Sequence, residues 1–318
     1  MDTNCGRLNE AHGGIIQRMK LFAFTIFWAL TCFIGISSAL NLPGAPNCPV
    51  FPDTNVWNKD VSQLPVHRNS AALIRSIGLN AELHPDFGSN LSYGIPYNVV
   101  GSNLKKVRVR FYYADESDAG PYPIPANPKK ESGSDHHILI VDRDSCRLYE
   151  IYDASRSNGR WEAGAGAIWN LRSNLLRPDG WTSADAAGLP ILPGLVRFDE
   201  VARGMINHAL RFTAPDSRDA HIYPARHHAG VSNNPALPPM GLRVRLKASI
   251  DISRFSPRNR VILTALKRFG MILADNGGPW FITGVSDKRW NEQELNELKR
   301  IQGNSFEVVD TSSLRNGL

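Results

Sequence analysis

Apolar and polar residues alternate along several segments of the chain. In "KVRVRFYY" (106–113) and "LRVRLKASI" (242–250) every second residue is apolar, the period of a β-strand with one buried face. "HILIVD" and "RLYEIYD", separated by "RDSC", predict a hairpin over 137–153. Further strands are predicted at 206–213 and 219–225, which would form a second pair, and at 279–285.

Helical patterns are fewer and lie mostly late in the chain. Residues 256–270 begin with Ser-Pro, end with Gly and place five apolar residues on one stripe, which predicts an amphipathic helix. A second helix is predicted over 291–303, because Asn291 is followed by Glu294 at the spacing of a capping box. A third, shorter helix is predicted near 70–77.

These elements predict the fold class. Strands and helices do not alternate strictly, which argues against a parallel α/β fold. We therefore predict a β-dominated α+β fold. Its core would be an antiparallel β-sandwich or jelly-roll, with a few peripheral helices, most of them in the C-terminal part. No linker demands a second domain, so residues 40–318 are predicted to form one.

The N-terminal segment has the layout of a secretory signal. Basic residues around Met19, a second candidate start, precede an apolar run over 21–36 and the small residues Ser37-Ser38-Ala39. The run is shorter than the about 20 residues of a membrane span, which favours a cleaved signal peptide (1–39) over the alternative of a single membrane anchor. The mature chain is predicted to be secreted or periplasmic, without membrane association.

Charge narrows the choice of partner. The chain has 36 Lys and Arg against 30 Asp and Glu, a net charge of +6. For an exported protein, this mild basic surplus favours acidic glycans or envelope polymers over nucleic acid.

Two cysteines remain after removal of the leader, Cys48 and Cys146. Thiols in an oxidising compartment normally pair, so a Cys48–Cys146 disulfide is predicted. The alternative is two buried free thiols.

Sequence motifs give little support to metal or serine chemistry. The chain lacks H-E-x-x-H, paired C-x-x-C and G-x-S-x-G. A site built from His137, His221 and either His227 or His228 stays open as an alternative, but its spacing is weak. No metal and no organic cofactor are predicted.

Two acid–base schemes fit a polysaccharide substrate. A glycosidase needs two carboxyl groups in one cleft; Glu150 or Asp153 could be one of them, with a partner such as Asp115, Glu116 or Asp275. Proton removal from an acidic sugar needs a cation and a base, which "HIYPARHHAG" (221–230) contains. Arginine binds carboxylates in a bidentate way. An exposed polar turn is the alternative for this segment.

The candidate residues divide by role. The predicted catalytic residues are Tyr223, His227, His137 and Glu150. The predicted substrate-binding residues are Arg226, His228, Trp280 and Arg243. The polar faces of 106–113 and 242–250 would add a basic track beside them.

Several longer motifs resemble a group of exported, mainly bacterial proteins for which no activity is established. They are "CPVFP" (48–52), "CRLYEIYDA" (146–154), "WTSADAAGLPILPGLVR" (181–197), "HALRFT" (208–213), "YPARH" (223–227), "PPMGLRVRLKAS" (238–249) and "GMILADNG" (270–277). The resemblance implies a single exported domain and transfers no catalytic residue.

The function predicted from these features is that of a secreted protein that acts on or binds extracellular polysaccharide. As an enzyme it would be an acidic-glycan hydrolase or lyase. The alternative is a non-catalytic envelope, matrix or lectin-like protein.

Overall fold

The computed structural model describes residues 41–317. In it the chain folds into three sheets of short strands. The strands are β1 (His84–Asp86), β2 (Tyr97–Val100), β3 (Val109–Phe111), β4 (Ile138–Asp142), β5 (Arg147–Tyr152), β6 (Ser155–Ser157), β7 (Arg160–Ala163), β8 (Ala165–Asn170), β9 (Leu210–Ala214), β10 (Arg243–Leu246), β11 (Met271–Asn276), β12 (Phe281–Thr283) and β13 (Phe306–Val308). The helices are α1 (Ser70–Ile77), α2 (Phe198–Ala202), α3 (Pro257–Arg268) and α4 (Glu292–Asn296). The described residues all belong to one compact unit. The predicted signal peptide lies outside them.

The sheets are mixed rather than purely antiparallel. The largest has the order β1-β12-β9-β11-β10-β13, the second β2-β4-β5-β8 and the third β3-β7-β6. Parallel pairs join β1 to β12, β9 to β11, β2 to β4 and β3 to β7. The prediction of a β-rich chain with few helices is confirmed, whereas the prediction of antiparallel pairing throughout is wrong. The jelly-roll or sandwich arrangement stays a prediction.

The second sheet is buried on both faces. Leu139 and Val141 point into the core cluster shared with the largest sheet. Their neighbours Ile138 and Ile140 point into a second cluster, shared with the three-stranded sheet. Because successive side chains of a strand alternate between faces, the apolar run of β4 supplies both clusters.

Most predicted elements form where the patterns place them. The hairpin over 137–153 is confirmed as β4 and β5, paired antiparallel. The three predicted helices are present as α1, α3 and α4, and the Asn291 side chain accepts the Glu294 N–H as the capping pattern predicts. The strand predicted at 219–225 is wrong, because this segment contains only isolated bridges such as His221 with Met240. Strand β9 pairs instead with β11 and β12.

The prediction that the arginines of 242–250 form an exposed polar face is also wrong. Arg243 is 1% exposed and Arg245 is buried as well. The Arg243 guanidinium donates to the carbonyls of Phe269, Val56 and Lys59 at 2.5–3.0 Å. Hydrogen bonds to these carbonyls stabilise the buried guanidinium. Because Arg243 and Arg245 are buried, no basic track forms on this strand, and Arg243 cannot contact a substrate.

The disulfide Cys48–Cys146 is confirmed, with the two Cα atoms 5.2 Å apart. It links the segment at the start of the described chain to the turn before β5. Within residues 41–317 no helix has the length and apolar character needed to cross a membrane.

Candidate functional site

A polar cavity of about 370 Å³ is bordered by residues of both large sheets. β11 of the largest sheet and β5 and β8 of the second sheet each line it. The segments 182–186 and 227–229 complete the lining. Its titratable residues are Tyr113, Glu116, Asp135, Tyr152, Asp185, His227, His228 and Asp275. A small, concave space with convergent polar groups is the kind of site that enzymes use.

Asp185 and Arg211 form the floor of this cavity. The Arg211 guanidinium, on β9, donates to both Asp185 carboxylate oxygens at 2.8 and 3.0 Å and to the Thr283 hydroxyl at 2.5 Å. Asp185 is 1% exposed. This bidentate pair is a strong, geometrically specific contact, and it fixes the carboxylate against the sheet.

Asp275 is the accessible acid beside this pair. Its side chain is 28% exposed, and one oxygen lies 3.9 Å from an Arg211 nitrogen. Burial, together with the negative charge of Asp185, raises the pKa of Asp275 to about 7, although Arg211 acts in the opposite direction. A carboxyl group with this pKa is protonated in a large fraction of molecules at neutral pH and can act as a proton donor.

His137 lies beneath the segment that holds Asp185. Its Nδ1 donates to the Glu131 carboxylate at 2.6 Å and its Nε2 donates to the Ala184 carbonyl at 2.9 Å. Burial would lower the pKa of His137, but the hydrogen bond and charge of Glu131 raise it overall. Because both ring nitrogens donate, the ring is an imidazolium. His137 therefore supports the cavity from below.

His227 and Glu116 stand together in the wall. His227 Nδ1 donates to the Ala186 carbonyl at 2.9 Å, which leaves Nε2 facing a Glu116 oxygen at 3.8 Å. That same oxygen accepts the Thr182 N–H at 3.0 Å. In a neutral ring with Nδ1 protonated, Nε2 is an acceptor, so both groups can receive a proton.

The predicted site residues are only partly brought together. His227 and His228 line the cavity, and His228 pairs with Asp219 at 2.8 Å. His137 lies below the lining. Glu150 is fully buried, where it accepts the N–H groups of residues 191 and 192, and burial raises its pKa to about 7. Glu150 thus has no route to a substrate in the cavity.

Tyr223 and Arg226 lie outside the cavity. Tyr223 lines a different depression of about 260 Å³, together with Arg218 and Arg315. Arg226 donates to the Arg177 carbonyl at 2.9 Å and pairs with Asp179 at 3.1 Å. The predicted grouping of these two residues with His227 and His137 in one pocket is therefore wrong.

Trp280 is a core residue. It is 0% exposed, its ring stacks on Phe212 and Phe306, and its N–H donates to the Gly78 carbonyl at 2.7 Å. The prediction of substrate binding by Trp280 is wrong, because its apolar faces and its one donor are all used inside the protein.

Asp185 and Arg211 are not predicted as site residues from the sequence, and Asp275 is predicted only as a possible second carboxyl group of a glycosidase pair. One signal was available for Asp275: it interrupts an otherwise apolar run in "GMILADNG". For Asp185, the signal was an acid among small residues in "TSADAAG". Neither pattern shows that the two carboxyl groups meet across Arg211.

Neither a metal-ligand cluster in the described residues nor a similar known protein points to a function for the site. Among residues 41–317, no group of three or more His, Cys, Asp or Glu side chains is arranged to hold a metal ion. The chain matches no family model, no curated protein and no solved structure. The cavity itself is therefore the basis for assigning a function.

Proposed function

We propose that this protein is a polysaccharide hydrolase that cleaves glycosidic bonds in the cavity next to Asp275. The observation that supports this best is the position of Asp275, an accessible carboxyl group beside the buried Asp185–Arg211 pair in a cavity of about 370 Å³. Hydrolysis of a glycosidic bond needs a carboxylic acid for the leaving oxygen and a carboxylate for the sugar or for water.

Asp275 has the role of general acid in this proposal. Its protonated carboxyl group gives a proton to the glycosidic oxygen as the C–O bond breaks. Asp185, whose carboxylate accepts two hydrogen bonds from Arg211, keeps the proton on Asp275 until it is needed, because two neighbouring carboxylates repel each other.

Glu116 and His227 have the role of base. Both face the same space, and neither Glu116 Oε2 nor His227 Nε2 is enclosed by the core. A water molecule that loses its proton to this pair attacks the anomeric carbon, and the bond between that carbon and the leaving oxygen breaks. The proton count closes, since Asp275 donates one proton and the base receives one.

The charges in the cavity refine the choice of substrate. In the described chain, none of the residues that line the cavity is Arg or Lys, whereas four are acids. A uronate would be repelled by Glu116 and Asp135. The substrate proposed is therefore a polymer of neutral or amino sugars, and hydrolysis is favoured over β-elimination, which needs a cation at the sugar carboxylate.

Export is part of the same proposal. The leader over residues 1–39 has a signal-peptide layout, and the Cys48–Cys146 bridge is compatible with an oxidising compartment. Secretion or a periplasmic location would bring the cavity into contact with polysaccharides outside the cytoplasm.

The test is to assay the mature chain on three classes of polymer: neutral glucans, amino-sugar polymers such as chitosan, and polyuronates. Release of reducing ends is the measurement. We expect turnover on a neutral or amino-sugar polymer, with activity falling as the pH rises above about 7, because Asp275 then loses its proton. Asp275→Asn should lower kcat by about 10²–10⁴-fold, the usual contribution of a general acid.

Asp251→Asn is the control, since Asp251 is an exposed acid that does not line the cavity. It should retain the wild-type rate. Wild-type turnover in Asp275→Asn would refute the role of Asp275. Binding of polymers without any release of reducing ends would identify a non-catalytic binder instead.

A further inference from the structure

Three neighbouring depressions on the surface share lining residues with one another. The cavity of the proposed hydrolase site and the next depression, of about 600 Å³, have Tyr113 and Tyr152 in common. That second depression and a third, of about 380 Å³, have Glu162 in common. The three therefore lie side by side on the surface, from the cavity to the sheet β3-β7-β6, and this row is called the trough below.

The trough contains an unusually exposed aromatic residue. Tyr112 is 82% exposed, and its ring meets that of Tyr113 edge-on, with centroids 4.8 Å apart. Tyr113 is 45% exposed, so the two rings together present a contiguous exposed aromatic surface, and contiguous surface of this kind can mark a binding site.

The backbone holds this pair in place. The N–H groups of Tyr112 and Tyr113 donate to the carbonyls of Ala163 and Gly164, each at 2.9 Å. These bonds continue the pairing of β3 with β7. The two tyrosines therefore belong to the edge of a sheet rather than to a free loop.

Tyr152 is fixed at the point where the trough leaves the cavity. A Cβ atom on Gly164 would lie 2.5 Å from the Tyr152 ring, so the ring packs directly on the glycine backbone. Burial raises the pKa of Tyr152. Its hydroxyl stays protonated at neutral pH and is available as a hydrogen-bond donor.

We infer that the trough holds an extended polysaccharide chain, with Tyr112 as a stacking platform for a sugar ring that lies outside the cavity. This inference rests on the proposed function. Aromatic rings present flat apolar faces that fit the C–H face of a pyranose, while the hydroxyl of tyrosine suits a wet groove. In the lining of the second and third depressions, Arg110 and Arg160 balance Asp153 and Glu162, so the trough offers no positive surplus to attract the phosphates of a nucleic acid.

The substrate class that follows is a polymer rather than a mono- or disaccharide. Short substrates fill the cavity alone, whereas long ones also contact Tyr112. The contribution of Tyr112 should therefore grow with chain length and appear mainly in KM, because Tyr112 lies outside the cavity and its contact is the same in ground and transition states.

The test compares Tyr112→Ala with Tyr112→Phe, which keeps the ring. On polymer, Tyr112→Ala should raise KM about 3- to 10-fold, the range expected for one aromatic contact, with kcat unchanged. On the shortest cleaved oligosaccharide it should have no effect, and Tyr112→Phe should behave as wild type. Leu175→Ala is the control, because Leu175 is equally exposed at 82% and lies outside the trough.

Affinity electrophoresis of Asp275→Asn, with and without Tyr112→Ala, measures polymer binding apart from catalysis. Weaker polymer binding in the double variant supports the trough even if the wild type proves to have no hydrolase activity, a result that would overturn only the proposed function. Equal binding by both variants, or the same loss on short and long substrates, would overturn the trough.

Discussion

Removal of the Cys48–Cys146 bridge should destabilise the protein by several kcal/mol. The linked residues are 98 positions apart in the chain, and the loop-entropy relation gives ~4.7 kcal/mol for a loop of this length at 25 °C. With an unfolding entropy of about 2 cal/mol/K per residue, a chain of this size should lose about 8 °C in Tm. Calorimetry of Cys48→Ala/Cys146→Ala beside the oxidised wild type measures both quantities.

The single variants are the internal control. Cys48→Ala and Cys146→Ala each break the same link, so each should lose nearly as much stability as the double variant. Both sulfurs are in residues with 0% exposure, so the native bridge should also resist a mild reductant. A loss below about 1 kcal/mol in the double variant would refute the loop-entropy argument, since it would mean that the open chain is already compact near these residues.

Two further predictions concern buried cations. The pKa of His137 is raised in the folded protein, so its ion pair with Glu131 stabilises fully below about pH 6.5 and this contribution is lost as the pH rises through the folded pKa. The difference in unfolding free energy between wild type and His137→Gln should therefore decrease above that pH; a constant difference in denaturant titrations across pH 5–9 would contradict it. Arg243→Met should cost about 3–5 kcal/mol, because the carbonyls of Phe269 and Lys59 lose their donor and that of Val56 keeps only the Lys59 N–H at 3.4 Å; Lys247→Met, on the exposed side of the same segment, should cost less than 1 kcal/mol in the same titrations.

The sequence predicts secondary structure well where the periodicity is local. The hairpin β4–β5 and helix α3 follow from alternation, from apolar stripes and from their end signals. Pairing between distant strands is not encoded locally. Nothing near β9 indicates that it lies parallel to β11, more than fifty residues later, and this contact is what places Arg211 beside Asp275.

The exposure of arginine side chains on alternating strands is the property that the sequence predicts least well. Period two in 242–250 predicts that Arg243 faces solvent, but the side chain is buried among carbonyls that come from distant parts of the chain. The interpretation of "HIYPARHHAG" failed in a related way. His227 and His228 reach the cavity, whereas His221 and Arg226 both contact Asp179, and no sequence pattern shows this pairing.

The segment that holds Asp185 connects the two large sheets. Its Ala187 N–H donates to Ala274 on β11, and its Ala184 carbonyl accepts from His137, next to β4. A ligand bound against this segment is coupled to the native packing of both sheets, and the unfolded chain has no such site. Mass action then adds about 2.7 kcal/mol of stability at a ligand concentration of 100 Kd, equivalent to about 5 °C in Tm for a chain of this size. A glycan that binds in the cavity should therefore raise the melting temperature of the protein, whether or not the glycan is cleaved. A thermal-shift screen of glycans can detect such a ligand.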